Sequence, residues 1–157
     1  MKSHVLLIED NLGDVRLTQE AFDSVNSSLT LHVAHDGVEA MSFLTRESDH
    51  HVNAPRPDLI LLDLNLPKMD GRAVLALLKR NESLKVIPTV VLTTSGDPED
   101  ISQSYQLHAN SYVIKPVQWA AFESLVKSIN DFWLTQSRLP EQLKIKVTPL
   151  LLPGSKP

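Results

Sequence analysis

Residues 59–71 read Leu-Ile-Leu-Leu-Asp-Leu-Asn-Leu-Pro-Lys-Met-Asp-Gly, and no other stretch limits so sharply the folds open to this chain. Its aliphatic residues run consecutively, without the polar and apolar alternation of a strand that faces water on one side. The segment therefore predicts a short strand covered on both faces of a sheet. Asp63 interrupts the run at its end. A carboxylate there is costly to desolvate unless a cation or several donors meet it. The turn chemistry comes later, from Pro67 and Asp70-Gly71, so Asp63 is free to act as a nucleophile or a ligand.

The pattern recurs along the chain. Val5 to Ile8 ends in Glu9-Asp10-Asn11, and two adjacent carboxylates at a strand end repel each other and favour a cation. Asp14 is the expected N-cap of a first helix carrying Val15, Thr18, Phe22 and Val25. Leu29 to Ala34 predicts a second strand, and Asp36-Gly37 opens a helix carrying Val38, Met41 and Leu44. A polar loop over residues 47–57 leads into the Asp63 strand, and Val74, Leu75, Leu77 and Leu78 mark a third helix. Thr89 to Thr93 is a β-branched strand ending in the hydroxyls of Thr93, Thr94 and Ser95. Asp97-Pro98-Glu99-Asp100 then starts a helix whose apolar stripe, Ile101, Tyr105 and Leu107, is thin. That helix should be the least firmly anchored. Tyr112-Val113-Ile114 forms a fifth strand stopped by Lys115-Pro116, and residues Phe122 to Trp133 carry the spacing of a last amphipathic helix.

Alternating strands and helices of these lengths give an α/β fold, a doubly wound five-stranded parallel sheet with helices on both faces. Ligands bind such sheets at the carboxyl ends of the strands. Glu9, Asp10, Asp63, Thr93 and Lys115 all fall there. Three clustered acids suit a hard divalent cation such as Mg²⁺. With the metal and Lys115 neutralising its neighbours, Asp63 can attack phosphorus, while Lys115 and the hydroxyls of Thr93 and Thr94 meet the phosphoryl oxygens. Composition, with 42% hydrophobic and 22% charged residues, is that of an ordinary globular chain. The chain has 157 residues, enough for one domain with a real core, and no cysteine for disulfide, thiol or zinc chemistry. Its net charge of -4 argues against nucleic acid and anionic membranes as partners. The apolar run after Met1 is too short for a signal peptide or a membrane span, and a cytoplasmic location is expected.

Taken together, Glu9-Asp10, Asp63 with Asn65, Pro67 and Asp70-Gly71, the Thr93 strand end, and Tyr112 before Lys115-Pro116 resemble the receiver domain of two-component response regulators. The resemblance spans roughly residues 4–134. It implies a flavodoxin-like sheet of strand order 2-1-3-4-5. It also implies Mg²⁺ on Glu9, Asp10, Asp63 and the Asn65 backbone carbonyl, and phosphorylation of Asp63 by a sensor histidine kinase. A cis Lys115-Pro116 bond presenting Lys115 to the phosphate is implied too, as is a switch pair of Thr93 and Tyr112. Read on its own, Tyr112 is equally a core or sheet-surface residue. Asp14-Val15-Arg16-Leu17, Asn65-Leu66-Pro67-Lys68 and Phe132-Trp133-Leu134 resemble regulators that serve bacterial phytochromes, which would make the kinase a bacteriophytochrome.

Two other functions compete. A phosphatase working through an aspartyl phosphate usually carries a second Asp two residues after its nucleophile, where this chain has Asn65. A nucleotide binder would need a Gly-rich loop after the first strand, where Glu9-Asp10 would repel phosphate. Among the histidines, His32 and His35 point to opposite sides of a strand and are no metal pair, and His50-His51 is expected in a solvated loop. Residues 1–136 form the receiver, and residues 137–157 are too short for an output domain. Their apolar run instead suggests an arm that pairs two copies into a homodimer, with Phe132, Trp133, Ile145, Val147, Leu150 and Leu151 at the contact. Phe132 and Trp133 equally suit the core.

Overall fold

The computed structural model describes residues 2–140. Its five strands are β1 (Ser3–Ile8), β2 (Leu29–Ala34), β3 (Leu59–Leu62), β4 (Thr89–Thr93) and β5 (Ser111–Ile114). All pair in parallel in the order β2-β1-β3-β4-β5, as the resemblance implied. β3 lies at the middle, and every one of its residues is buried. That is why Leu59 to Leu62 needs no polar alternation.

Successive side chains of a strand point to opposite faces, and the sheet sorts its aliphatics accordingly. Leu6, Ile8, Ile60, Leu62 and Val91 face one layer, built from α2 (Gly37–Thr45) and α3 (Gly71–Arg80). Val5, Leu7, Leu59, Leu61, Val90 and Leu92 face the other, built from α1 (Leu12–Val25) and α5 (Trp119–Ile129). α4 (Pro98–Gln106) buries only Ser104, in keeping with its thin apolar stripe. No helix of the described residues is long and apolar enough to cross a membrane.

Two local details differ from the sequence reading. Asn11, not Asp14, caps α1: its side chain accepts the Asp14 N–H at 3.0 Å, and Asp14 falls inside the first turn. The last helix is not uniform. After Ile129 the chain widens into a π-helical segment, Asn130–Gln136, that lays Trp133 and Leu134 against the α1/α5 layer and leaves Phe132 exposed. Buried Asn130 accepts a 2.9 Å hydrogen bond from the Asn26 amide and ties this segment to the end of α1. Of the expected dimer residues, Ile145, Val147, Leu150 and Leu151 lie outside the described residues.

The histidines also find partners that spacing did not indicate. His4 Nδ1 and His32 Nε2 lie 3.0 Å apart across β1 and β2, and the His32 ring packs beside Phe43. His51 is half-buried rather than solvated, with Nδ1 3.1 Å from both Ser42 Oγ and Ser48 Oγ. Burial, and then the neighbouring His4, lower the His32 pKa below its ordinary 6.5. Its neutral form is thus the one the fold holds.

The junction of β3 and α3 is closely packed. Gly71 donates its N–H to the Leu64 carbonyl at 2.9 Å, and a Cβ at this position would lie 2.3 Å from the Asp63 carbonyl oxygen. Only glycine lets α3 start this close to the strand end. Gly71→Ala is expected to destabilise the fold by about 1–3 kcal/mol in urea unfolding, since the obstructing atoms are backbone; an unchanged midpoint would contradict this packing. For His32 the linkage sign follows from its depressed pKa: its contribution is full above 6.5 and is lost as pH falls through and below that value. His32→Leu should therefore flatten the loss of stability on acidification, and an unaltered pH profile of unfolding would count against the pair.

Candidate functional site

Parallel pairing puts the carboxyl ends of β1, β3, β4 and β5 along one edge, and backbone hydrogen bonds continue the ladder past the last strand residues. Glu9 N–H reaches the Ala34 carbonyl at 2.9 Å, Asp63 N–H the Ile8 carbonyl at 3.0 Å, and Lys115 N–H the Thr93 carbonyl at 2.7 Å. Each functional side chain therefore projects from a fixed peptide. Glu9, Asp63 and Lys115 are buried, and Asp10 is exposed.

The charges converge as the strand order required. Oxygens of Glu9, Asp10 and Asp63 lie within 4.8 Å of one another. The Lys115 ammonium sits against the Glu9 carboxylate, 3.1 Å from Asp14 Oδ2 and 3.8 Å from Asp63 Oδ2. Asp63 Oδ1 accepts the Asn65 N–H at 3.3 Å, and Glu9 Oε2 accepts the Asn11 N–H at 3.3 Å. Thr93 Oγ1 is buried with no hydrogen-bond partner among the described residues, and Thr94 beside it is exposed.

Burial sets the proton balance. It raises the Glu9 pKa to about 7, against the pull of Lys115 and with the repulsion of Asp63. Burial acts to lower the Lys115 pKa, but the hydrogen bond to Glu9 and the charges of Glu9 and Asp63 outweigh it, and the pKa is raised. Lys115 thus stays an ammonium, while Glu9 can take up or release a proton near neutrality. An oxygen-only donor set with this excess of negative charge fits a hard divalent cation. The orphaned Thr93 hydroxyl fits a ligand with acceptor oxygens, since a buried polar group is rarely left unpaired.

Tyr112 lies on β5 with its hydroxyl donating to the Ser95 carbonyl at 2.8 Å, just beyond the end of β4. Lys115-Pro116 departs from expectation. No cis peptide bond occurs among the described residues, so this bond is trans. An X–Pro bond favours trans by about 0.5–1 kcal/mol where nothing opposes it, and the Lys115 ammonium already meets its carboxylates in that geometry. Sequence reasoning missed Asp14 as a partner of Lys115. An acid in the first turn reads as a cap or a dipole partner, and nothing local marks its reach to a lysine 101 positions away.

Comparison with known proteins points the same way. Response regulator Rcp1 of Synechocystis sp. is 46% identical over 136 residues, covering 87% of this chain and 92% of the relative. The crystal structure of the phosphorylated cyanobacterial phytochrome response regulator RcpA matches with a TM-score of 0.86 at 46% identity, over 90% of this chain and 100% of that one. The Mn(2+)-bound form of response regulator Rcp1 matches with a TM-score of 0.82 at 45% identity, over 88% and 99% of the two chains. Residues 5–129 match the response regulator receiver domain, and the chain belongs to that family.

Proposed function

We propose that Asp63 is the phosphoacceptor of this signalling protein and takes its phosphoryl group from the phosphohistidine of a sensor kinase. The observation that carries this reading is the Lys115 ammonium held 3.8 Å from Asp63 Oδ2 at the end of a fully buried strand. An Asp63 carboxylate oxygen attacks phosphorus as the P–N bond to the kinase imidazole breaks, and the bonding pair stays on the departing nitrogen. Lys115 moves its hydrogen bonds from carboxylate to phosphoryl oxygens, and the free Thr93 hydroxyl donates to another. Thr94, exposed at the mouth, is a further donor. Mg²⁺, held by Glu9, Asp10, Asp63 and the Asn65 backbone carbonyl, would neutralise charge on the phosphoryl oxygens. Thr93 and Tyr112 then act as the switch pair: a hydroxyl drawn to phosphate at the end of β4 shifts the segment whose Ser95 carbonyl Tyr112 holds.

The kinase we assign is a bacteriophytochrome. Support comes from the similarity to RcpA, itself described as a phytochrome response regulator, and from the Asp14 to Leu17 and Asn65 to Lys68 motifs. Membership of the receiver family removes the reason to keep a phosphatase in view, and Asn65 stands where that chemistry wants an acid.

Incubation with Mg²⁺ and a small acyl phosphate should label the protein, and Asp63→Asn should abolish the label as seen by intact mass. Label persisting in that variant would move the nucleophile elsewhere. Cation affinity should rise with pH through about 7, because a proton on Glu9 competes with the metal below that value. Calorimetric titration at several pH values checks this, and an affinity independent of pH would contradict a protonatable Glu9 in the metal site.

A further inference from the structure

With Ser104 its sole buried residue, α4 has little apolar packing to hold it, and polar contacts do the holding. Arg72, the second residue of α3, donates to exposed Asp70 at 3.2 Å and to Asp100 of α4, the second ion pair being partly shielded from water. The other Asp100 oxygen accepts the Ser95 hydroxyl at 2.6 Å, and Ser95 Oγ accepts the Asp97 N–H at 3.2 Å. Tyr112 closes the circuit. Its hydroxyl donates to the Ser95 carbonyl at 2.8 Å, and its N–H donates to Tyr105 Oη of α4 at 3.1 Å.

Both ends of this network abut the site. Arg72 follows Gly71, whose backbone lies against Asp63 and Leu64, and Ser95 follows Thr93 and Thr94. Asp100 is therefore the tie between the start of α3, fixed to the Asp63 strand, and the segment that leaves β4 with the phosphate-facing hydroxyls. A guanidinium fork that bridges two carboxylates fixes direction as well as distance, which a single lysine ammonium would not.

We propose that Arg72 and Asp100 are positioning residues that pin the β4–α4 loop through Ser95 and so set how long a phosphoryl group survives on Asp63. The inference rests on Asp63 being the phosphoacceptor. Loss of the clamp frees Ser95, loosens Thr93 and Thr94 from the phosphoryl oxygens and opens the acyl phosphate to water. The two residues act as one unit, because Arg72 reaches Ser95 only through Asp100, and Asp100 is fixed to α3 only through Arg72.

The test compares the full chain with Arg72→Gln, Asp100→Asn and the double variant. After labelling with a small acyl phosphate and Mg²⁺, each loss of label is followed by intact mass. Both single variants should still label on Asp63 and should lose the label about threefold faster or more, with the double variant no faster than Asp100→Asn alone. Urea midpoints separate positioning from stability: the shortened lifetime should exceed anything their order predicts among the variants. Asp63 labelled with unchanged lifetimes in the single variants would overturn the inference alone, as would effects that multiply in the double variant. No label on Asp63 in the unaltered chain would overturn the phosphoacceptor reading, and the inference with it.

Discussion

The Lys115 ammonium is the contact on which the site depends. Among the described residues it alone pairs with Glu9, Asp14 and Asp63, two of them buried, and partly offsets charges that would otherwise force a proton onto the cluster or open the sheet edge. One ammonium against this many carboxylates leaves the pocket acidic, and burial, against the pull of Lys115, raises the Glu9 pKa to about 7. The arrangement is stable enough to fold and unsatisfied enough to bind. A divalent cation, with its positive charge, would complete it.

The sheet supplies the precision. β3 is covered on both sides, so Asp63 emerges from a peptide that cannot shift without disturbing two apolar layers at once. Gly71 then brings α3 against the backbone of Asp63 and Leu64, closing the loop from behind. α4 is different in kind. It is tied by Arg72, Asp100, Ser95 and Tyr112 rather than by apolar burial, and polar ties can be exchanged at less cost than a packed layer. A carboxylate on a rigid strand end and a helix held by polar ties therefore lie side by side.

Most of the fold was legible in the sequence because buried parallel strands announce themselves. β2 and β4 run between the residues that the apolar and β-branched runs marked, and the remaining strands differ by a residue or two at their ends. The convergence of Glu9, Asp10, Asp63 and Lys115 followed from strand order alone. What escaped were contacts between distant, individually ordinary residues. Asp14 looked like a cap, yet Asn11 caps α1 and Asp14 turns to Lys115. His4 and His32 are diagonal neighbours on adjacent strands, a relation that appears only once the register is known. Arg72 and Asp100 each have local roles, in the first turn of α3 and of α4, that hide their pairing. The trans Lys115-Pro116 bond went against the resemblance because the choice between isomers is small in energy and carries no mark in the sequence.

The central claim is that Glu9, Asp10 and Asp63 form one cation pocket with Lys115 at its wall. Crystals grown with Mn²⁺ and phased to reveal anomalous scattering test it most directly. The account predicts a single strong peak contacting carboxylate oxygens of all three acids, with the Lys115 ammonium still beside Asp63. A peak elsewhere, or none at saturating Mn²⁺ with Lys115 turned away from Asp63, would contradict it.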